Sequence, residues 1–461
     1  MEEIFCYYPA WKAGFDCSIQ HGACLCRRIF IRLTWVVSEG REEKGMKILI
    51  TSDLFEATIN GVVTSVKNLE RELTAQGHEV KILTVSNSCV SYQKENVYYI
   101  MSVPSGIYPD IRIPVSRGNE YVRELIAWKP DVIHSQCEFF TFGYAKRIAK
   151  ETGAVLLHTY HTLYEQYTEY IPIGKSIGRA ALGNWMRMRL KPVNMIIAPT
   201  KKVEKMLREY EMEQDITVIP SGIEIQKFME KENNSVSKEI REKYGIEEEK
   251  KVILSLGRLG FEKRIEELLF GMQEILKTRK DVILMIVGGG PARESLEKTA
   301  RELGIEASVR FTGMVLPEET KDYYQMADIF ACASTSETQG LTYIEAMASG
   351  LPLVCRKDDC LDGVLEEGEN GFAYETLEEF AAGIVTLLDR ENVYENAVRR
   401  SRQIAEEFGT KRFGARVESC YYHTLLKRRY EEYESFVICK EQAGRFKERC
   451  WARYGHARRI S

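Results

Sequence analysis

Glu337 and Glu345 stand eight residues apart and bracket a glycine in the string Glu337-Thr338-Gln339-Gly340-Leu341-Thr342-Tyr343-Ile344-Glu345. The small-residue run Ala346-Met347-Ala348-Ser349-Gly350 reads as a helix that opens just after that glycine. Backbone N–H groups near Gly340 and Leu341 are then free at a helix start, which favours phosphate. Each carboxylate can accept hydrogen bonds from sugar hydroxyls. Upstream, Gly257-Arg258-Leu259-Gly260-Phe261-Glu262-Lys263 sets an arginine and a lysine five residues apart behind the apolar run 251–256. A guanidinium fork and an ammonium point charge suit a diphosphate that gains negative charge as its substituent leaves. Alone, such a pair is ordinary loop charge; the acidic string is what gives it a partner chemistry.

Loops of this kind need a scaffold that aims them into one crevice. From Met46 the pattern turns regular: a short buried strand begins at Lys47, Gly61 lies in the loop leading to a helix through Glu72, and strands are predicted over 80–85, 131–134 and 155–158, with a helix over 117–128. A second series follows, with strands over 251–256, 282–287, 309–311, 329–331 and 353–355 and helices over 264–276, 292–303 and 341–349. The alternation predicts an α/β protein made of two doubly wound, Rossmann-like domains facing across a cleft. The expected division is an N-terminal extension over 1–45, an acceptor-side domain over 46–222 and a donor-binding domain over 223–405. Helices over 406–430 are expected to pack back toward the first domain, ahead of a basic tail over 431–461. Gly288-Gly289-Gly290-Pro291 follows a strand, but the dinucleotide pattern fails at Arg293, so the triplet is read as a tight strand-to-helix turn.

A chain of 461 residues exceeds one ordinary core, and 44% hydrophobic content is enough to fill two. A net charge of -4 argues against nucleic acid as a partner. The charge is uneven: residues 46–200 carry 17 Lys/Arg against 14 Asp/Glu, and residues 201–461 carry 41 against 48. The 12 cysteines show no CxxC spacing, and Cys24 and Cys26 have no partner at zinc spacing, so free thiols in a reducing cytosol are expected. No run of 18 apolar residues occurs, and the apolar stretch Ile29 to Val37 is cut by Arg32 and lacks a small-residue cleavage site. The expectation is a cytoplasmic protein that docks peripherally on the inner face of the cell membrane.

On these motifs the segment 251–352 resembles the retaining family 4 glycosyltransferases of GT-B fold, whose E-x7-E and G-R-x4-K signatures match Glu337 and Glu345, and Arg258 and Lys263. The resemblance extends from Met46 to about residue 425. It implies a nucleotide-sugar donor, expected to be UDP-glucose, with Glu337 on the sugar hydroxyls, Glu345 on the ribose, and Arg258 with Lys263 on the diphosphate. Asn60-Gly61-Val62-Val63 matches the loop whose glycine lets backbone approach the donor phosphates, although Asn60 replaces a second glycine common in the family. His161-Thr162 matches the family's active-site pair, which puts His161 beside the transferred sugar as an orienting group. The family is described by front-face attack with no protein nucleophile. No D-x-D stands beside the donor motifs, so no cofactor and no metal are expected, Arg258 and Lys263 taking the part Mg²⁺ plays elsewhere.

The strings beginning at His158 and Asn60 look like those of bacterial diacylglycerol glucosyltransferases, which implies a lipid acceptor. A physical feature agrees. Between Tyr170 and Val203 there is no acidic residue, while Lys175, Arg179, Arg187, Arg189, Lys191, Lys201 and Lys202 interleave with Trp185 and aliphatic residues. Such a segment can lie on an anionic membrane surface, with Lys175, Arg179, Trp185, Arg187 and Arg189 as its contacts, or form a core-facing helix with a solvated basic side. Two alternatives stay open: a family 4 enzyme acting on a soluble or polysaccharide-precursor acceptor, and a GT-B-like epimerase or sugar-nucleotide binder.

Overall fold

The computed structural model describes residues 45–55, 61–104, 112–115, 119–163, 175–230 and 234–454. Residues 46–461 form one compact unit. The expected 1–45 extension, apart from Gly45, lies outside the described residues.

Among the described residues, sixteen strands fall into two large parallel sheets and a small hairpin. The first sheet takes β1 (Lys47–Thr51), β2 (Glu79–Val85), β3 (Tyr92–Lys94), β4 (Val97–Ile100), β7 (Val132–Ser135), β8 (Val155–Thr159), β9 (Met195–Ala198) and β10 (Asp215–Val218). Its order is β10-β9-β8-β7-β1-β2-β4-β3, parallel except for the edge strand β3. β5 (Ser102–Pro104) and β6 (Arg112–Pro114) form the hairpin. The second sheet takes β11 (Lys251–Leu256), β12 (Val282–Val287), β13 (Val309–Gly313), β14 (Ile329–Cys332), β15 (Leu353–Arg356) and β16 (Gly371–Tyr374), in the order β13-β12-β11-β14-β15-β16. That order is the doubly wound one. The predicted strands are all present, most within a residue or two of their expected ends.

The central strands are apolar over most of their length because both of their faces are buried. Along β1, Leu49 enters one apolar cluster with Ile133 and Leu156, while Ile48 and Ile50 enter another with Val132 and Leu157. In the second sheet Leu254 and Met285 face one cluster, and Ile253 and Leu284 the opposite one. Caps fix the helix ends. Helix Glu120–Trp128 starts three residues later than the pattern predicted, because the Asn119 side chain accepts from the Tyr121 N–H and sets the N-cap there.

The last helix, Thr410–Tyr454, lies against helix Gly61–Ala75 and the first sheet. Gly414 permits this approach, since a Cβ there would meet Glu72 Cβ at 2.7 Å. Val417 and Tyr421 join the core that holds Ile48 and Ile50. The helix runs unbroken past residue 430, where a basic tail was expected to begin; residues 455–461 lie outside the described residues. Cys89, Cys137, Cys332, Cys355, Cys360 and Cys420 are free thiols. Among the described residues no helix is long and apolar enough to cross a membrane.

Candidate active site

A doubly wound sheet binds ligands beyond the carboxyl ends of its strands, at the point where the strand order reverses. In the second sheet that point lies between β11 and β14, which are neighbours although far apart in sequence. The segment leaving β11 carries Arg258 and Lys263, and the segment leaving β14 carries Glu337 and Gly340. Topology therefore joins the two clusters that the sequence separates. Lys263 Nζ lies 2.6 Å from Glu337 Oε1.

The loop after β11 is shaped by glycines. Gly288, with φ at +138°, sits where a Cβ would run into the Gly257 carbonyl. The Leu259 N–H donates to Gly289 O at 2.9 Å, and the Ala292 N–H to Leu259 O at 2.9 Å. The glycine triplet is thus the tight turn read from the sequence, and it holds the Arg258 loop in place. Lys263 closes a short 3-10 turn, Phe261–Lys263. The Arg258 guanidinium is ion-paired with Glu262.

Burial pushes the Glu337 carboxyl up, but the charge and hydrogen bond of Lys263 outweigh it and hold the group below the usual carboxylate range. Lys263 answers in kind: burial lowers it, and Glu337 raises it above the ordinary lysine range. Both are charged at neutral pH. Gly340 has φ at +73° and forms the N-cap of helix Leu341–Ala348 with no side-chain cap bond. A side chain there would collide with the Tyr343 ring. One turn into the helix, Glu345 Oε2 accepts from Tyr324 Oη at 2.7 Å. Burial lifts its carboxyl to about 7, against the opposing pull of the Tyr324 hydroxyl and the Lys227 charge.

The first sheet reverses between β1 and β7, and segments leaving its strands meet the loop that carries Glu337. Gly61 is part of helix Gly61–Ala75, where the sequence pattern placed it in the preceding loop. A Cβ on Gly61 would sit 3.3 Å from Leu341 Cδ1, so these two candidate residues are neighbours. His161 follows β8, and its Nε2 donates to Gln136 Oε1 at 2.7 Å. Burial pushes the His161 imidazole down to about 4 despite the nearby Glu138 charge, which leaves it neutral at physiological pH. The His161 carbonyl accepts from Thr338 Oγ1 at 3.0 Å, joining the histidine to the Glu337 loop. Deeper in, His158 pairs with Glu138 at 3.2 Å. His134 bridges Thr159 and Tyr421 at 2.7 Å each and ties the last helix to the sheet.

The basic segment is helical over Lys175–Leu190. The side chains of Lys175 and Arg179 lie outside the described residues. Trp185 is 40% exposed and Met188 71%. With Phe139, whose ring centroid is 5.8 Å from that of Trp185, they make an outward apolar patch. Met186 and Leu190 face the core. Arg187 pairs with Glu211 and stays at the surface. Arg189, expected as a membrane contact, donates through its guanidinium to the Glu138 and Phe139 carbonyls and lies 5.1 Å over the Phe142 ring. It anchors the loop after β7. Lys202 also leaves the basic group, since it pairs with the sheltered Asp358, while Lys201 pairs with Asp362 at the surface.

Gln136, Glu138, Lys202, Tyr324 and Asp358 were not singled out from the sequence as site residues. For Gln136 and Glu138 the signal was available, because both follow a strand that borders the switch point. For the others it was not, because their partners are distant in sequence.

Two parallel doubly wound sheets with facing loops define the GT-B class. The solved structure titled Anabaena Alr3699/HepE in complex with UDP shares this fold, with a TM-score of 0.65 and 16% identity over 82% of this chain and 100% of that one. Residues 59–227 match the family described as Glycosyltransferase Family 4, and residues 236–404 match Glycosyl transferases group 1. The alpha-monoglucosyldiacylglycerol synthase of Streptococcus pneumoniae is 34% identical over 390 residues, 84% of this chain and 88% of that one. The enzyme of the same name from Acholeplasma laidlawii is 30% identical over 393 residues, 83% of this chain and 98% of that one. The chain belongs to the family 4 (group 1) glycosyltransferases.

Proposed function

We propose that this glycosyltransferase moves glucose from UDP-glucose to diacylglycerol, with retention of anomeric configuration, at the inner face of the cell membrane. The observation that carries this reading is the likeness to two enzymes named for glucosyldiacylglycerol synthesis, spanning 84% and 83% of the chain. Solved neighbours of the same fold titled as complexes with UDP and with UDP-glucose support the donor. The outward Trp185 and Met188 patch, on the helix whose sequence also carries Lys175 and Arg179, supports a membrane approach.

Each residue then has a task. Arg258, Lys263 and the N–H groups at Gly340 and Leu341 hold the diphosphate, and Gly61 leaves room for it. Glu337 accepts from the sugar hydroxyls and Glu345 from the ribose. The lipid hydroxyl oxygen forms its bond to the anomeric carbon as the bond from that carbon to the β-phosphate oxygen breaks, and its proton passes to the phosphate. UDP and a glucosyl lipid are the products. Arg258 and Lys263 stabilise the charge that collects on the leaving diphosphate, the task a metal performs in other transferases. His161, neutral at working pH, orients the sugar through hydrogen bonds and transfers no proton of its own.

The test is incubation of the purified protein with radiolabelled UDP-glucose and vesicles holding diacylglycerol and phosphatidylglycerol. The expected product is an α-glucosyl lipid, its anomer read by NMR. Label appearing only in a soluble saccharide, or a β-linked product, would refute the acceptor or the stereochemistry respectively.

A further inference from the structure

Glu337 is held at two points by two lysines that come from opposite halves of the protein. Its side chain meets Lys263, from the loop after β11. Its backbone carbonyl accepts from Lys202 Nζ at 3.2 Å, and Lys202 belongs to helix Lys201–Glu209, which follows β9 of the first sheet. The same ammonium reaches Thr335 O at 2.8 Å and both oxygens of Asp358, at 2.7 and 2.8 Å. Its side chain is 17% exposed and that of Asp358 is 11% exposed. Asp358 is fixed in turn, because Oδ1 accepts from the Cys360 N–H at 2.9 Å.

The surrounding contacts point the same way. Thr200 Oγ1 donates to Thr338 O at 2.8 Å. Gln339 and the Ser221 backbone exchange two hydrogen bonds, at 2.8 and 2.9 Å. Lys201 pairs with Asp362 at 2.9 Å and Lys205 with Asp359 at 3.7 Å, so one helix face of lysines meets one turn of aspartates. These outer pairs are largely exposed and contribute little. The Lys202–Asp358 pair is the sheltered one, and a charge-assisted contact that water reaches poorly costs most to break.

We infer that Lys202 is a positioning residue: with Asp358 as its anchor it sets the loop that carries Glu337, so the grip on the donor sugar is complete only when the two halves meet through this lysine. The inference rests on the assignment of Glu337 to the sugar. It predicts a split that general loss of stability would not produce. Removing Lys202 should weaken the contribution of the sugar to binding more than that of UDP, since Arg258 and Lys263 hold the phosphate from the loop after β11, whereas Lys202 anchors the loop that carries Glu337.

The experiment compares the affinities of UDP-glucose and UDP, with kcat and melting temperature, for the wild type, Lys202→Met, Lys202→Arg, Asp358→Asn, Lys201→Ala and Glu337→Ala. Lys202→Met and Asp358→Asn should each lower the UDP-glucose to UDP affinity ratio and kcat by about tenfold, the effect of one or two charge-assisted hydrogen bonds. Lys202→Arg should recover part of the loss, and Lys201→Ala should change neither quantity. A Lys202→Met protein whose UDP and UDP-glucose affinities fall together, or whose ratio is unchanged while Glu337→Ala lowers it, overturns the role given to Lys202. If Glu337→Ala itself leaves the ratio intact, the sugar assignment falls and this inference with it.

Discussion

Replacing Glu337 by glutamine should strengthen UDP binding while it weakens sugar transfer. Glu337 occupies the Lys263 ammonium at 2.6 Å. A diphosphate arriving at the same ammonium has to displace that carboxylate and is repelled by it. Glutamine keeps the size and one acceptor oxygen but removes the charge. Opposite charges about 4 Å apart are worth roughly 1 kcal/mol in water and roughly 4 kcal/mol at an effective dielectric of 20. With side chains 25% and 18% exposed, the Lys263–Glu337 pair lies between these limits. Part of the gain is returned in desolvation, so a net increase of about 1 kcal/mol in UDP affinity is expected, roughly fivefold.

Transfer moves in the opposite direction. Loss of a charged acceptor for the sugar hydroxyls costs about 1.5 to 3 kcal/mol, or roughly 10- to 150-fold in kcat/KM. Titration calorimetry with UDP and steady-state transfer from UDP-glucose read the two effects separately. A Glu337→Gln protein that binds UDP more weakly than the wild type would show that Glu337 helps hold the nucleotide, and the competition for Lys263 would be refuted.

Lys263→Ala should weaken UDP binding by about 1.5 kcal/mol, the low end for a charge-assisted bond because the wild-type lysine must first leave Glu337; calorimetry showing no loss would remove Lys263 from the diphosphate site. Activity should survive excess EDTA, and abolition by EDTA with rescue by Mg²⁺ would overturn the metal-free reading. Glu345 has a folded pKa of about 7, above its ordinary value, so its contribution to stability is present at low pH and is lost as pH rises through 7. Relative to Glu345→Gln, which does not titrate, the wild type should therefore gain about 1 kcal/mol of stability between pH 8 and pH 6, while its donor KM rises as the carboxylate is neutralised; denaturant unfolding at both pH values that shows no such difference would refute the assignment. Co-flotation with vesicles should increase with anionic lipid and fall with salt, and should drop in a Trp185→Ser/Met188→Ser variant; equal flotation of that variant would make the patch ordinary surface.

The parallel sheets were legible because their strands are short, continuous apolar runs, such as 282–287, set off by glycines that force a turn. The meeting of Lys263 with Glu337 was legible because the candidate donor residues cluster within two short strings. Each string leaves a strand at the point where the order reverses, so sequence neighbours became spatial neighbours after one topological step. Boundaries were less legible where a local hydrogen bond decides them. Asn119 moved a helix start by capping it, and Gly61 is helical where a loop was predicted, since glycine's freedom suits a loop and a helix alike.

The basic segment shows where residue type runs out as a guide. Arg187, Arg189 and Lys202 carry the same charge in the same acid-free stretch, yet they meet three different environments. Arg187 remains at the surface with Glu211, Arg189 turns onto the carbonyls of the loop after β7, and Lys202 crosses to Asp358. Absence of acids nearby in sequence states only that the partners are elsewhere. Once the chain folds, the partners of Lys201, Lys202 and Lys205 are the aspartates at 358, 359 and 362. A long cationic side chain is drawn to whichever acceptor saves it most desolvation, and that acceptor is set by the meeting of the two halves. The charge available to a membrane is therefore smaller than the composition implies. The membrane approach proposed above therefore leans on the apolar patch of Trp185 and Met188.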